Sequence, residues 1–314
     1  MNSRERFTQF LSGTPYSSGV PAAFFQHFSP AARHGQAALD AQLNFYRSTG
    51  MDMVKLMFDD IYPKITTVKE AADWRDIPEF RADDPVFTTQ IDLARRMVEA
   101  VGGETPVFQT IFTPFVSAGC AVSPILEWDS VVTPHFAENP QAMRAGLEKI
   151  HARLSQFAVQ IAETGIDGFY VSVQGGERGR YSQEFFNTWF KPVDIAFLNA
   201  LKATGKLVFI HICGVGMRLD DYMDYPADLV NLAMEGNGLT LRTARELFHC
   251  PVMGGLDNNG VIAAGTEQQI RAEVRRVLQD APTDIMLGAD CTIPAHVPLE
   301  NMRWAIEEAH AFRP

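Results

Sequence analysis

The stretch Leu207-Val208-Phe209-Ile210 is the clearest guide to the fold of this chain, because its residues are apolar without alternation. Parallel strands that are buried on both faces have this pattern. Seven further runs are similar, and they lie at Val20–Phe28, Met53–Phe58, Pro106–Phe112, Gly168–Val173, Leu229–Met234, Pro251–Gly255 and Ile285–Gly288. With Leu207–Ile212 they give eight predicted strands.

Segments with helical periodicity separate these runs. Apolar side chains recur at three- and four-residue steps in Pro140–Thr164, and Glu267–Gln279 and Leu299–Ala311 are likewise predicted helices. Strand and helix alternating in this way predict an α/β fold, a single (β/α)8 TIM barrel. Arg4–Leu11 is predicted as an N-terminal helical extension that closes the bottom of the barrel. No linker or repeat marks a second domain, so residues 1–314 are predicted to form one domain.

Composition restricts the class of protein further. The 314 residues include 27 basic and 38 acidic side chains, a net charge of −11, which argues against nucleic acid as the main partner. Hydrophobic residues make up 46%, as in globular proteins, and no run reaches the roughly 18 apolar residues of a membrane helix. The first residues are not typical of a signal peptide. We therefore expect a soluble cytoplasmic protein, without a membrane partner, whose four cysteines are reduced thiols.

The C-terminal ends of the strands carry the chemistry of a (β/α)8 barrel. The predicted strand ends place these polar residues at the mouth: Gln26, His27, Asp59, Asp60, Tyr62, Thr113, Gln174, His211, Cys213, Glu235, Asp257, Asn258, Asp290 and Cys291. Asp60 is a candidate catalytic residue that could orient a hydroxyl or amine of a substrate. The candidate substrate-binding residues are Gln26, His27, Tyr62, Gln174 and Asp257.

Several of these candidates have a purely structural alternative. Asp59 and Asp60 can cap the following turn, and Asp257 can cap the next helix. His27 can be a core histidine, and Gln174 can belong to a glycine-rich turn. The residues alone leave both readings open.

A metal site is the strongest functional prediction from the residues. His211 and Cys213 stand two residues apart at a strand end, so their side chains share a face, and Gly214 allows the chain to turn there. Glu235 follows Cys213 by 22 residues and Cys291 follows it by 78, at the ends of the sixth and eighth predicted strands. Nitrogen, two sulfurs and an exchangeable carboxylate oxygen are a typical zinc set. A single buried His or Cys is usually a packed core residue, but these converge on one mouth.

The metal-binding pattern resembles that of methyltransferases that methylate thiols. These are the methylcobalamin:coenzyme M methyltransferases and, more distantly, cobalamin-independent methionine synthase, which use a His-x-Cys pair and a later Cys on a (β/α)8 barrel. The methionine synthase also uses a Glu one strand later, which matches Glu235. The resemblance implies zinc as cofactor.

The rest of the chain resembles the uroporphyrinogen decarboxylase family, to which the coenzyme M enzymes belong. Phe58-Asp59-Asp60-Ile61 is similar to its Phe-Ser-Asp-Ile segment, and Asp60 takes the place of its pyrrole-binding Asp. Gly254-Gly255-Leu256-Asp257 with Gly265-Thr266 is similar to a second segment. The C-terminal signature is matched by Leu287-Gly288, Ile293-Pro294 and Pro298-Leu299-Glu300-Asn301.

Two departures disfavour the decarboxylase itself. Where decarboxylases have an arginine-rich stretch that meets substrate carboxylates, this chain has Phe25-Gln26-His27-Phe28-Ser29-Pro30. Where they have Leu-Gly-His-Gly, it has Leu287-Gly288-Ala289-Asp290. A tetrapyrrole rich in carboxylates would need positive charge that this mouth lacks.

These resemblances predict a zinc-dependent methyltransferase that moves a methyl group between a corrinoid and a thiol or other small molecule. Zinc would keep the acceptor thiol deprotonated, and Glu235 would be the ligand that the thiol displaces. The chain has no Asp-x-His-x-x-Gly corrinoid motif, so methylcobalamin is expected on a separate partner protein. The alternatives are a uroporphyrinogen decarboxylase-type lyase and a barrel with a purely structural zinc. The oligomeric state stays open.

Overall fold

A computed structural model of the chain describes residues 1–13, 19–81, 83–124, 127–279 and 281–313. Its described part contains one sheet of seven parallel strands in sequence order: β1 Val54–Leu56, β2 Val107–Phe112, β3 Gly168–Val173, β4 Leu207–Ile212, β5 Leu229–Leu232, β6 Val252–Leu256 and β7 Ile285–Ala289. Every residue of β3, β5 and β7 is buried. Seven of the predicted strands are therefore confirmed, in the parallel order of a TIM-barrel-like fold.

The remaining predicted strand, Val20–Phe28, is extended but not a regular strand. Ala22 forms an isolated parallel bridge with Leu287 of β7, and the Leu287 N–H donates to the carbonyl of Pro21 at 2.8 Å. On the other side, the N–H of Asp52 donates to the carbonyl of Ala22 at 2.8 Å. The segment thus lies between β7 and the residues that precede β1. Because Pro21 has no N–H, it cannot donate to a ladder, and an eighth strand is not confirmed.

Helices follow or precede the strands as the periodicity predicts. Their bounds are α1 Ser3–Ser12, α2 Gly35–Thr49, α3 Pro85–Val101, α4 Pro114–Val122, α5 Asp129–Glu138, α6 Pro140–Ala162, α7 Gln183–Phe185, α8 Lys191–Lys202, α9 Leu241–Phe248, α10 Val261–Ala264, α11 Glu267–Leu278 and α12 Leu299–Ala311. A π-helical turn, Phe186–Phe190, joins α7 to α8. Short 3-10 turns occupy Pro30–Ala32, Ala71–Asp76, Leu219–Tyr222 and Glu235–Asn237. Of the helices in the described residues, none combines the length and the apolar character that crossing a membrane requires.

Helix α6 shows how local sequence fixes these bounds. The side chain of Asn139 accepts a hydrogen bond from the N–H of Ala142 at 3.1 Å, which satisfies one free donor at the start of the helix. Pro140 occupies the first helical position, where its missing N–H costs nothing. Met143 and Leu147 then lie on the buried face, and the helix packs against α4 and α8.

The N-terminal end of the barrel is closed by α1. The N–H of Arg4 donates to the carbonyl of Glu104 at 2.9 Å, and its guanidinium donates to Asp167, the residue before β3, at 3.0 Å. The ring of Phe7 packs edge-on against Phe108 of β2, with the centroids 5.6 Å apart. The helix predicted over Arg4–Leu11 is thus present and covers the starts of β2 and β3.

A fully buried carboxylate ties the same end together. Asp52 accepts hydrogen bonds from Arg6 Nε at 2.7 Å, from the N–H of Ala22 at 2.8 Å and from His310 Nε2 at 2.7 Å. We call these four residues the Asp52 network. It joins α1, the extended segment beside β7 and α12, so that no buried oxygen of the carboxylate lacks a partner.

Candidate metal centre

A cavity of about 140 Å³ opens among the C-terminal ends of the strands. This is close to the volume that holds a benzene molecule in a protein interior. Its apolar lining consists of Met57, Phe58, Phe112, Val116, Trp128 and the ring of Tyr170. Its polar lining consists of His27, Lys55, Asp59, Thr110, Cys120, Ser172, Gln174, His211, Cys213, Cys291 and Thr292. The cavity therefore suits a small molecule.

Three of these residues form a group that can hold a metal ion. His211 is near the end of β4, Cys213 follows that strand, and Cys291 follows β7; their ligand atoms all lie within 4.8 Å of one another. We call them the triad. Gly214 has φ 121°, a conformation that favours glycine and turns the chain directly after Cys213. One imidazole nitrogen and two thiol sulfurs fit zinc better than a hard, oxygen-seeking cation.

Asn231 on β5 fixes which nitrogen of His211 is available to a metal. The Asn231 amide nitrogen donates to the carbonyls of Met253 and Ala289, both at 3.1 Å, so its oxygen must be the atom that faces His211. That oxygen lies 2.6 Å from His211 Nδ1 and therefore accepts its proton. Nε2 is left with its lone pair, which is the arrangement that a metal-ligating histidine needs.

Tyr170 on β3 supports the same arrangement. Its hydroxyl donates to the Asn231 oxygen at 2.8 Å, and its ring stacks on the imidazole of His211 with 5.7 Å between centroids. Burial raises the pKa of Tyr170 well above its ordinary value, so the hydroxyl stays a donor. Neither Tyr170 nor Asn231 was among the predicted site residues. An asparagine within an otherwise apolar strand, Leu229–Leu232, is the sequence signal that could have indicated Asn231.

The two thiols of the triad are hydrogen-bonded to each other. This contact lowers the pKa of Cys291 below its usual range. The same contact, together with burial, raises the pKa of Cys213 well above its usual range. A cation bound by both sulfurs would replace this hydrogen bond. Cys120 differs, because burial raises its pKa to about 12 and it lies outside the triad.

Lys55 on β1 is a cavity residue that the sequence analysis did not single out. Its ammonium lies over the rings of Phe25 and Tyr170, 4.7 Å and 4.4 Å from their centroids. Burial lowers the pKa of Lys55 to about 8, while the charges of Cys291 and Asp59 oppose that shift. The charge of Lys55 therefore interacts with the charges of the triad, although Lys55 lies on another strand.

Among the predicted site residues other than the triad, His27 and Gln174 line the cavity and Asp60 does not. His27 and Gln174 both face it, and His27 Nδ1 lies 2.6 Å from a carboxylate oxygen of Asp59. The other Asp59 oxygen lies 3.2 Å from Arg33. Asp60 is outside this lining and partly exposed, with an oxygen 3.4 Å from His34. Of the two adjacent carboxylates, Asp59 lines the cavity and Asp60 does not.

Gln26, Tyr62 and Asp257 also lie outside the cavity lining. Gln26 is buried in the extended segment, and Tyr62 is buried with its ring against Phe87. Asp257 is exposed, and its carboxylate accepts a hydrogen bond from the N–H of Asn259 at 2.9 Å. This local hydrogen bond is close to the structural alternative for Asp257, in which its carboxylate caps the next helix.

Glu235 is not brought together with the triad. It begins the 3-10 turn after β5, is exposed, and is absent from the group of ligand atoms found among the described residues. Its carbonyl accepts the N–H of Gly238 at 2.9 Å, which closes the turn. The structure thus supplies three protein donors at one point rather than the four that the sequence suggested.

The structure thus has a TIM-barrel-like fold with a group of three residues that could hold a metal ion at the C-terminal ends of its strands. The sequence matches the uroporphyrinogen decarboxylase family over residues 26–312, and the chain belongs to that family. The resemblance identified from the sequence is thereby confirmed. No curated protein sequence matches the chain.

Two solved structures share the fold. A methyltransferase from Methanosarcina mazei is similar with a TM-score of 0.76 over 99% of each chain, at 17% identity. A B12-independent methionine synthase from Shewanella sp. W3-18-1 is similar with a TM-score of 0.54, over 95% of this chain and 94% of that one, at 12% identity. At such identities the likeness is one of fold, and the function has to be argued from the site.

Proposed function

We propose that the protein is a zinc-dependent methyltransferase that moves a methyl group between a corrinoid, supplied by a separate protein, and a thiol or other small molecule. The observation that carries the proposal is the triad, which places one nitrogen and two sulfur donors around one point on the wall of a small cavity. Methyltransferases among the structures of similar fold support the same reaction class.

Three protein donors argue for a catalytic rather than a structural metal. Structural zinc sites are closed by four protein ligands, whereas catalytic sites keep one position for water or substrate. Here the fourth direction is the cavity, because all three donors line it. When bound, zinc would supply Lewis acidity that keeps a coordinated thiol deprotonated at neutral pH.

The chain's own residues prepare that position. Asn231 holds His211 with Nε2 free, and Cys213 and Cys291 supply the sulfur donors. Phe112 and Trp128 form part of an apolar wall that would reduce the hydration of a nucleophile held against it. A desolvated thiolate is more reactive than a hydrated one, which suits an attack on a methyl group.

Glu235 remains a proposal as a fourth, exchangeable ligand. In the structure its carboxylate is exposed at the mouth, so it would have to move toward the triad when no substrate is present. The turn Glu235–Asn237 is where that movement would occur. Asp60 would likewise have to act from the rim rather than from the cavity lining.

Membership of the family makes decarboxylation of a tetrapyrrole the second candidate. One feature of the cavity argues against it: no arginine is present among the described residues that line it. Recognition of several carboxylates typically uses arginine forks, which this lining lacks.

The test begins with metal analysis of the purified protein after exposure to zinc. We expect about one zinc per chain, together with methylation of 2-mercaptoethanol when methylcobalamin is added as a free donor. Methylated thiol is measured by mass spectrometry. Well under half an equivalent of zinc would contradict the metal centre. Formation of coproporphyrinogen from uroporphyrinogen at enzymatic rates would support the decarboxylase instead.

A further inference from the structure

Lys55 is the one amine in the described lining of the cavity. It comes from β1, at a position paired with Phe108 of β2, and its largely buried side chain reaches the space between the strands. The ammonium rests on the faces of Phe25 and Tyr170. Aromatic faces attract a cation, but they cannot accept its three hydrogen bonds as oxygen does.

The ammonium of Lys55 has no hydrogen-bond acceptor in the part of the chain that the structure describes. Other enclosed cations of this protein have one: Arg6 donates to Asp52, and Arg218 donates to Asp221 at 2.9 Å. The Lys55 ammonium is not among the fully buried atoms that lack a partner, so it can be reached from the cavity that it lines. An unpaired ammonium in a cavity wall is placed to pair with a negatively charged ligand that enters the cavity.

The charges near Lys55 specify the sign and the place of that partner. The acidic groups that act on it are Cys291, Asp59 and Cys213, with Cys291 the strongest. Asp59 already has His27 and Arg33 within 3.2 Å. A divalent metal would neutralise the two thiolates of the triad. The lysine would then remain as a positive charge in the wall of the same cavity.

We propose that Lys55 recognises negative charge on the ligand that approaches Cys213 and Cys291, so that the centre prefers an anionic donor, a thiolate, to a neutral donor of similar size. The inference rests on the thiol substrate of the proposed function. It makes Lys55 a specificity-determining residue that stabilises the nucleophile, rather than a packing residue of the aromatic cluster.

The first experiment uses the metal-free full chain and therefore does not depend on zinc. Iodoacetate and iodoacetamide have nearly the same shape and differ in charge, and their rates of alkylation at Cys291 are measured by peptide mass spectrometry. We expect Lys55→Met to lower the ratio of the iodoacetate rate to the iodoacetamide rate about fivefold or more, because one nearby positive charge is lost. A general change in thiol reactivity cancels in this ratio.

Two further variants keep this experiment decisive. Met57→Leu alters the same cavity without a change of charge and should leave the ratio at the wild-type value. Lys55→Gln replaces the methionine variant if that one does not fold. A ratio that is the same in wild type and in the folded neutral variant would overturn the role of Lys55.

The second experiment uses cobalt-loaded protein and follows the absorption of the metal. We expect Lys55→Met to weaken binding of 2-mercaptoethanol about tenfold or more while imidazole, a neutral donor, binds within about twofold of wild type. Equal losses for both probes would contradict the proposal. A wild type that binds no metal but retains the alkylation preference would refute the methyltransferase and leave the assignment of Lys55 standing.

Discussion

The two ends of the barrel differ in whether their charged groups have hydrogen-bond partners within the protein. At the N-terminal end, the Asp52 carboxylate is fully enclosed and accepts hydrogen bonds from Arg6, Ala22 and His310. At the C-terminal end, the ammonium of Lys55 has no hydrogen-bond acceptor among the described residues and rests on the rings of Phe25 and Tyr170. Charged groups whose hydrogen bonds are satisfied within the protein stabilise the fold, whereas a charged group without such a partner is available to a ligand.

This difference predicts that stability and ligand binding are separable by mutation. A change in the Asp52 network should alter the free energy of unfolding and leave metal affinity alone. A change in the triad should do the reverse. The predictions below test that separation.

The largest effect is expected at the N-terminal end. Asp52→Ala removes the common partner of Arg6 and His310, and we expect the free energy of unfolding to fall by about 3–5 kcal/mol. Urea denaturation of the metal-free protein measures it. The exposed Asp40→Ala on α2 is the matched control and should stay within about 0.5 kcal/mol. An altered zinc affinity in folded Asp52→Ala would break the separation.

The next effect is expected at the mouth. Cys291→Ser removes one of three donors, and zinc affinity should fall about a hundredfold or more, since thiolates supply much of the binding energy. Competition with a chromophoric chelator measures this affinity. Cys250→Ser, a change outside the triad, should bind zinc like wild type. Equal losses in both variants would exclude the triad as the metal centre.

The buried carboxyl group of Asp194 on α8 offers a pH-dependent test. Burial raises the pKa of Asp194 to about 7 from 3.8, with Tyr225 donating to its carboxylate at 3.1 Å. Between these values the native state binds more protons than the unfolded state, so this carboxyl lowers stability as the pH rises from 4 to 7. Asp194→Asn should therefore gain about 2 kcal/mol relative to wild type at pH 8 but not at pH 4.

Chemical denaturation at the two pH values measures that gain. The exposed Asp220→Asn serves as the control and should show the same difference from wild type at both. A gain for Asp194→Asn that is independent of pH would show that burial does not hold the proton on this carboxyl.

A smaller effect is expected from the residue that orients the imidazole. Asn231→Leu leaves His211 Nδ1 without its acceptor, and zinc affinity should fall about 10- to 100-fold. Nitrogen NMR of the metal-free protein should also show a mixed imidazole tautomer in place of a single one. Asn199→Leu, on the exposed face of α8, is the control. A single wild-type tautomer in Asn231→Leu would refute the orienting role.

The smallest effect is expected at Glu235. Because its side chain is exposed and outside the triad, Glu235→Gln should bind zinc within about twofold of wild type. The cobalt absorption spectrum of the substrate-free protein decides its role. An unchanged spectrum together with unchanged methyl transfer would exclude ligation, whereas a changed spectrum would place the carboxylate on the metal.

The sequence was sufficient to predict the triad, because the C-terminal ends of all parallel strands in a barrel meet at one end. Residues that are far apart in the chain therefore come together there. The sequence did not identify Lys55 as a cavity residue. Two sets of side chains alternate along this stretch: Met53, Lys55 and Met57 form one, and Val54, Leu56 and Phe58 form the other. Both sets are apolar apart from Lys55, and the charge of this lysine alone would predict that it faces solvent. Only the register of β1 shows that it faces inward.

The same limit explains the acidic pair after β1. Asp59 and Asp60 are chemically equivalent, and they lie in a bend after β1, where no strand periodicity tells which of them faces the cavity. The first predicted strand is not confirmed, for another reason. Val20–Phe28 has the composition of a strand, but Pro21 lacks the N–H that a ladder needs.

The Asp52 network also has a kinetic consequence. Asp52 and His310 are separated by 258 residues in sequence, so their contact cannot form until nearly every β/α unit has been ordered. Closing so long a loop costs chain entropy before any contact compensates for it. We therefore expect ring closure to be a late step in folding, with an open, incompletely wound barrel as the species that precedes it. Breaking the contacts of the buried carboxylate would then affect the rate of unfolding more than the rate of folding.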